Sequence, residues 1–141
     1  MTRLIRVFGS NQAGRHGAGY AKYCREHHGA IYGQGVGLQG DSYGIPTKDY
    51  DIQPLPLSKI KPYVKEFLHF AEIHPELEFE VSAIGCGLRG LTPADMAPMF
   101  SECWGPRTKY RNVKLNAKFL NFLSEGTNTD ENLESLNMKI D

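Results

Sequence analysis

Residues 4–19 read Leu-Ile-Arg-Val-Phe-Gly-Ser-Asn-Gln-Ala-Gly-Arg-His-Gly-Ala-Gly. Leu4 to Phe8 is a short run of strand formers, the pattern of a buried strand. It opens directly into Gly9-Ser10-Asn11, and a helix is expected from about Gly17 to His28. Tyr20, Tyr23, Cys24 and His27 fall on one stripe of that helix, and Gly29 ends it as a glycine just past a helix end does. The free N–H groups and positive dipole end at such a helix start favour an anion.

A second stretch repeats the design. Leu77, Phe79, Val81 and Ala83 alternate with Glu78, Glu80 and Ser82, which reads as a strand. It runs into Ile84-Gly85-Cys86-Gly87-Leu88-Arg89-Gly90. Thr92-Pro93-Ala94-Asp95 then starts a helix, with Thr as N-cap, Pro in the first position and Asp at the capping-box position. Ten of the fifteen glycines lie between Gly9 and Gly44 and three more between Gly85 and Gly90, so sharp turning or close approach is concentrated in these loops. Gly14, Gly17 and Gly19 of the first loop are not spaced as GxGxxG, and there is no GxxxxGK[ST], so that loop meets neither the dinucleotide fingerprint nor the P-loop.

The rest of the chain fills in around them. Ala30 to Tyr32 is expected as a short strand, and Gly33 to Gly40 as too glycine-rich for regular structure. Ser42 to Ile45 reads as extended and stopped by Pro46. Leu57, Ile60, Val64, Phe67 and Ala71 repeat at helical spacing, with Ser58 as N-cap, Pro62 near the first turn and Pro75 as the stop. Asn112–Leu115 is the last strand and Ala117–Leu123 the last helix. Strands alternating with helices imply one α/β domain over residues 1–123, a mixed sheet flanked by helices on both faces. Residues 124–141 are expected to be an acidic mobile tail. Ligands of such sheets sit at the carboxyl ends of strands, where both glycine loops lie.

Composition narrows the function. Of 141 residues, 40% are hydrophobic, which excludes a disordered chain. Formal net charge is zero, but residues 124–141 carry five acids against Lys139 alone, leaving about four positive charges on the remainder. That is too mild to imply nucleic-acid binding by charge. Arg107, Lys109, Arg111, Lys114 and Lys118, with Trp104 and Tyr110, read as a solvated basic edge in preference to a nucleic-acid face. Three cysteines, an odd number, with no apolar leader, imply free thiols and a cytoplasmic setting. No apolar run reaches the roughly 20 residues of a membrane span. Cys24 and His27 are spaced to touch one metal, but no second cluster completes a site, so neither metal nor cofactor is expected.

The candidate ligand-binding residues are Gly9, Ser10, Asn11, His16, Gly17 and Gly19 in the first loop. The second loop contributes Gly85, Cys86, Gly87, Leu88, Arg89 and Gly90. Thr47 and Lys48 belong to a third, polar segment. Two glycine loops at one sheet edge can grip two phosphates. Lys48 is a phosphate partner, a nucleophile if desolvated, or simply a solvent-facing turn lysine. No base is in sight for Cys86, so it is not favoured as a nucleophile.

These residues resemble a macro domain, the fold that binds ADP-ribose. The likeness lies in Gly9-Ser10-Asn11 with His16-Gly17-Ala18-Gly19-Tyr20-Ala21, and in Ala83-Ile84-Gly85-Cys86-Gly87-Leu88-Arg89-Gly90-Leu91. It covers roughly residues 4–123. The Gly-Cys-Gly-Leu run is similar to the branch containing terminal ADP-ribose glycohydrolases and DNA ADP-ribosyl glycohydrolase antitoxins, and to small macro-like proteins of bacteria and phages. That branch uses a lysine after a short strand, and Ile45-Pro46-Thr47-Lys48 resembles its place. The resemblance implies an ADP-ribose-type nucleotide ligand. Either the nucleotide is bound for sensing or sequestration, or it is hydrolysed with Lys48 at the anomeric carbon and Asn11 orienting the ribose hydroxyls. A third reading is an interaction protein with vestigial loops. Two positions depart from the family. The Gly-Asp pair whose Asp contacts adenine has no counterpart here, and Arg89 stands where the glycohydrolases can hold an acid.

Overall fold

Strand β1 (Arg3–Asn11) carries apolar side chains on both faces, Ile5 and Val7 on one and Phe8 on the other, which suits it to the middle of a sheet. The computed structural model, which describes residues 2–87, 89–104 and 111–131, places it there. It is followed by α1 (Gly19–His27), β2 (Gly37–Gln39), β3 (Ser42–Lys48), α2 (Leu57–Glu72), β4 (Leu77–Val81), α3 (Pro93–Trp104), β5 (Val113–Leu115) and α4 (Ala117–Glu131). The five-stranded sheet has the order β2-β3-β1-β4-β5. β1 runs parallel to both β3 and β4, β4 runs parallel to β5, and β2 is antiparallel to β3. The chain is therefore α/β with a mixed sheet. No helix among the described residues is long and apolar enough to cross a membrane.

The two faces are covered unequally. Ile60, Val64 and Phe67 of α2, Phe100 of α3 and Phe119 of α4 pack with Ile5, Val7, Ile45, Phe79 and Val81 in one fully buried core. On the opposite face, among the described residues, α1 covers the sheet through Cys24 against Phe8 and Ala30. Its β4–β5 half presents Glu78, Glu80 and Lys114 to solvent.

Several sequence expectations are corrected. Residues 30–32 form no strand, and the glycine-rich run instead contributes β2, because Gly37 to Gln39 pair with Gly44 to Ser42. Pro46 does not stop β3. It lies beyond the last β2 pair, Gly37 with Gly44, so its missing N–H breaks no ladder there, and the strand continues to Lys48. β4 ends at Val81, where Ser82 turns back on β1 with its N and Oγ donating to the Val7 carbonyl at 3.1 and 2.8 Å. α2 starts at Leu57 behind Pro56, so Ser58 is inside the helix and Pro62 falls beyond its first turn. On α1 only Cys24 is buried, while Tyr20, Tyr23 and His27 are exposed. α4 runs past Leu123 to Glu131, so the start of the expected tail is helical; residues 132–141 lie outside the described residues. Of the basic stretch, Arg107, Lys109 and Tyr110 also lie outside them, and Arg111, Lys114 and Lys118 are exposed. The capping box is present, with Asp95 Oδ2 accepting from Thr92 N at 2.9 Å and Asp95 N donating to Thr92 Oγ1 at 3.3 Å.

The turn between α1 and β2 approaches β1 most closely at Gly35, where a Cβ would collide with the Asn11 carbonyl oxygen and meet the Gln12 backbone. Gly35→Ala is expected to lower the melting temperature by about 10 °C, from an overpacking cost of about 3 kcal/mol. Gly17→Ala, whose Cβ meets nothing within 4 Å, serves as the control and should melt like the wild type. Circular dichroism melts of the two variants check both outcomes.

Candidate functional site

Because β1 is parallel to both neighbours, the carboxyl ends of β1, β3 and β4 lie side by side. Above them opens a cleft of about 820 Å³, within the size range of small-molecule sites. It brings together most of the sequence-predicted residues: Gly9, Ser10, Asn11, Gly17, Gly19, Thr47, Lys48, Gly85, Cys86, Gly87 and Arg89 all line it. His16 and Gly90 do not, and Leu88 lies outside the described residues.

Several polar side chains here build loops. Asn11 is buried, and its amide clasps one residue, accepting from Arg15 N at 2.8 Å and donating to Arg15 O at 2.9 Å. His16 is fully buried, with Nε2 at 2.9 Å from the Gln34 carbonyl and 3.1 Å from Gln39 Oε1, and its ring meets Phe8 edge-on. It ties the first loop to β2 and is not among the residues that line the cleft. Arg89 donates from Nε to the Thr47 carbonyl at 3.2 Å and from Nη2 to the Leu55 carbonyl at 2.9 Å, pinning the second loop to the end of β3. Thr47 is buried beside Ser10, its Oγ1 3.5 Å from the Ser10 carbonyl. Lys48 is half-buried, and its carbonyl accepts from Gln12 N at 3.0 Å. Asp49 closes the following turn by accepting from Asp51 N and Gln53 N, both at 2.9 Å. That turn holds Ile52 at φ 61°, the one non-glycine among the described residues with positive φ, and Ile52 forms part of the cleft wall.

Other backbone groups are left over. The second loop turns through Gly85 (φ 79°), where a side chain would strike Leu91. Its internal bonds run from Cys86 N to Ala83 O and from Leu91 N to Gly85 O. The N–H groups of Gly85 and Gly87 have no partner in hydrogen bonds among the described residues. The first loop leads into α1, whose cap residue Ala18 offers no side-chain acceptor and whose first turn holds no acid. The first helical bond is Lys22 N to Ala18 O, so the N–H groups of Gly19, Tyr20 and Ala21 are unused by the helix, and these three residues line the cleft. α3 differs, since Thr92 and Asp95 close its start.

The electrostatics are one-sided. Arg15, Lys48, Arg89 and Lys118 line the cleft, and no Asp or Glu does among the described residues. The ion pairs among the described residues, Arg3–Asp41, Arg6–Glu80 and Lys61–Glu102, use none of these four cations.

No family model, curated protein or solved structure matches this chain. The chemistry of the cleft is therefore read from its own groups. Unpaired cations and free N–H donors attract a multiply charged anion. Among the described residues no group of three His, Cys, Asp or Glu is placed to hold a metal; Cys24 is buried and His27 exposed.

Sequence reasoning missed Arg15, Tyr20, Tyr32, Ile52 and Lys118 as lining residues. Lys118 had a signal: it follows β5, so the strand-end rule puts it at the same edge. Ile52 had none, because its position depends on the Asp49 turn.

Burial pushes the Cys86 thiol up from its ordinary value, with Lys118 pulling the other way and Asp95 adding to the rise. A raised value means less thiolate at any given pH. Iodoacetamide should therefore label Cys86 more slowly than glutathione at pH 8, with the labelling midpoint displaced to higher pH. Peptide mass spectrometry of quenched time points reads this, and labelling faster than glutathione would reverse the assignment of an unactivated thiol.

Proposed function

We propose that this chain is a macro-like domain that binds an ADP-ribose-type nucleotide by its pyrophosphate and acts as a sensor or sequestering module. The observation that carries this reading is a cleft with four cationic side chains, no acid among its described lining residues, and free N–H donors from two adjacent loops. The loops touch: a Cβ on Gly9 would lie 3.4 Å from Gly85 N, which suits two phosphates joined by one bridging oxygen. The sequence resemblance supplies the ligand class, and the cleft geometry is compatible with it.

Binding is favoured over hydrolysis by Lys48 on two grounds. The Asn11 amide spends one N–H and one oxygen lone pair on Arg15, which gives it a loop-building role in this arrangement. Arg89 occupies the place of the acid and adds a like charge to the cleft. Lys48 then serves as a phosphate partner.

Calorimetry with ADP-ribose tests the reading. The wild type should bind, and Lys48→Ala should weaken binding about 10- to 100-fold, the worth of one charge-assisted hydrogen bond. Gly87→Asp should abolish it, because it puts an anion into open space at the second loop. Absence of heat with the wild type removes the binding reading. Release of ADP-ribose from a modified macromolecule by the wild type, lost in Lys48→Ala, would install the hydrolase reading instead.

A further inference from the structure

Two tyrosine rings stand among the groups that line the cleft. Tyr20, in the first turn of α1, is 39% exposed, and its ring lies nearly parallel to that of Tyr23, 5.7 Å between centroids and 14° between planes. Tyr32, in the turn after α1, is 61% exposed, and the Arg25 guanidinium carbon lies 5.9 Å from its ring centre. Each ring has a neighbour beside it; Tyr32 is the more open, whereas Tyr20 is partly buried and its hydroxyl shares a hydrogen bond with Cys24. Exposed aromatic rings beside a cationic floor form the pairing by which proteins hold nucleotides without reading the base: cations take the phosphates and a ring takes the base face. The described lining offers no carboxylate to accept from an exocyclic amine.

We infer that Tyr20 and Tyr32 form the nucleobase subsite of the cleft and hold the base by stacking, so that the ligand class is a nucleoside diphosphate ribose of either purine. The inference rests on the phosphate-binding reading above. Stacking recognises any base because every base has a π face, and edge hydrogen bonds then contribute little discrimination. The backing by Tyr23 and Arg25 lowers the ordering cost, since two of the faces are already fixed.

Three probes separate the parts: ADP-ribose, its guanine counterpart and inorganic pyrophosphate. They are titrated by calorimetry into the wild type, into Lys48→Ala and into a double variant, Tyr20→Leu with Tyr32→Leu. The two nucleotides should bind the wild type within about tenfold of one another. The double variant should bind both about 5- to 150-fold more weakly while its pyrophosphate affinity stays unchanged. Lys48→Ala should weaken all three probes. Because both rings are exposed, the double variant should melt within a few degrees of the wild type, which separates lost stacking from lost fold. The inference is overturned if the double variant binds both nucleotides as the wild type does, or if the guanine probe binds more than tenfold worse than ADP-ribose. In either case weakening by Lys48→Ala leaves the phosphate reading intact. If no probe binds the wild type, both fall together.

Discussion

The arrangement of the cleft depends on the two-sided parallel pairing of β1. Phe8 and Ser10 pair with Gly44 and Pro46 on one side, and Ile5 and Val7 with Phe79 and Val81 on the other. Parallel pairing forces three strands to end at one edge, and each must then turn away over the sheet. Asn11, Lys48 and the loop after Val81 are neighbours for that reason alone. Ile5 and Val7 fix the register, because a slip by one residue would carry them out of the aromatic core that α2, α3 and α4 supply.

Above this edge the polar side chains divide into two groups. Asn11, His16, Gln34, Gln39 and Arg89 spend their hydrogen bonds on backbone or on one another and hold the loops in shape. Arg15, Lys48 and Lys118, with the amides of Gly85 and Gly87, are left facing the cleft. Buried polar groups are costly when unsatisfied, so the first group is engaged except at His16 Nδ1, which has no partner among the described residues, whereas exposed groups can wait for a ligand in water. The positive potential meets no acid among the described lining residues, with Glu78 and Glu80 on the open sheet face, Asp49 in its turn and Asp95 at the capped start of α3.

The sequence was legible where one element's own pattern decides its form. The helical spacing from Ile60 to Ala71 and the Thr92–Asp95 box read correctly, as did the alternation of Leu77, Phe79 and Val81. It misled where a neighbour decides. Pro46 is tolerated only because β2 is short, and Gly37 to Gln39 form a strand only because β3 lies beside them. His16 sits among glycines like a ligand group, yet Phe8 and two glutamines bury it. The candidate site was legible as two loops and a lysine, since strand-end geometry follows from the α/β pattern. Tyr32 and Ile52 were not, since both reach the cleft from turns whose direction is set by contacts distant in sequence.

The central position of β1 also constrains how the chain acquires its structure during synthesis. β1 is synthesised before its partners, which begin at Ser42 and Leu77, so one of its edges waits for β3 and the other for β4. Sheets built from such distant pairings form slowly, and an unpaired apolar strand is a template for association with other chains meanwhile. Arg3 and Arg6 sit within it and the glycines follow at once, which keeps the waiting segment charged and short. The geometry that gathers the cleft at one edge thus makes β1 wait for two later strands before both its edges are paired.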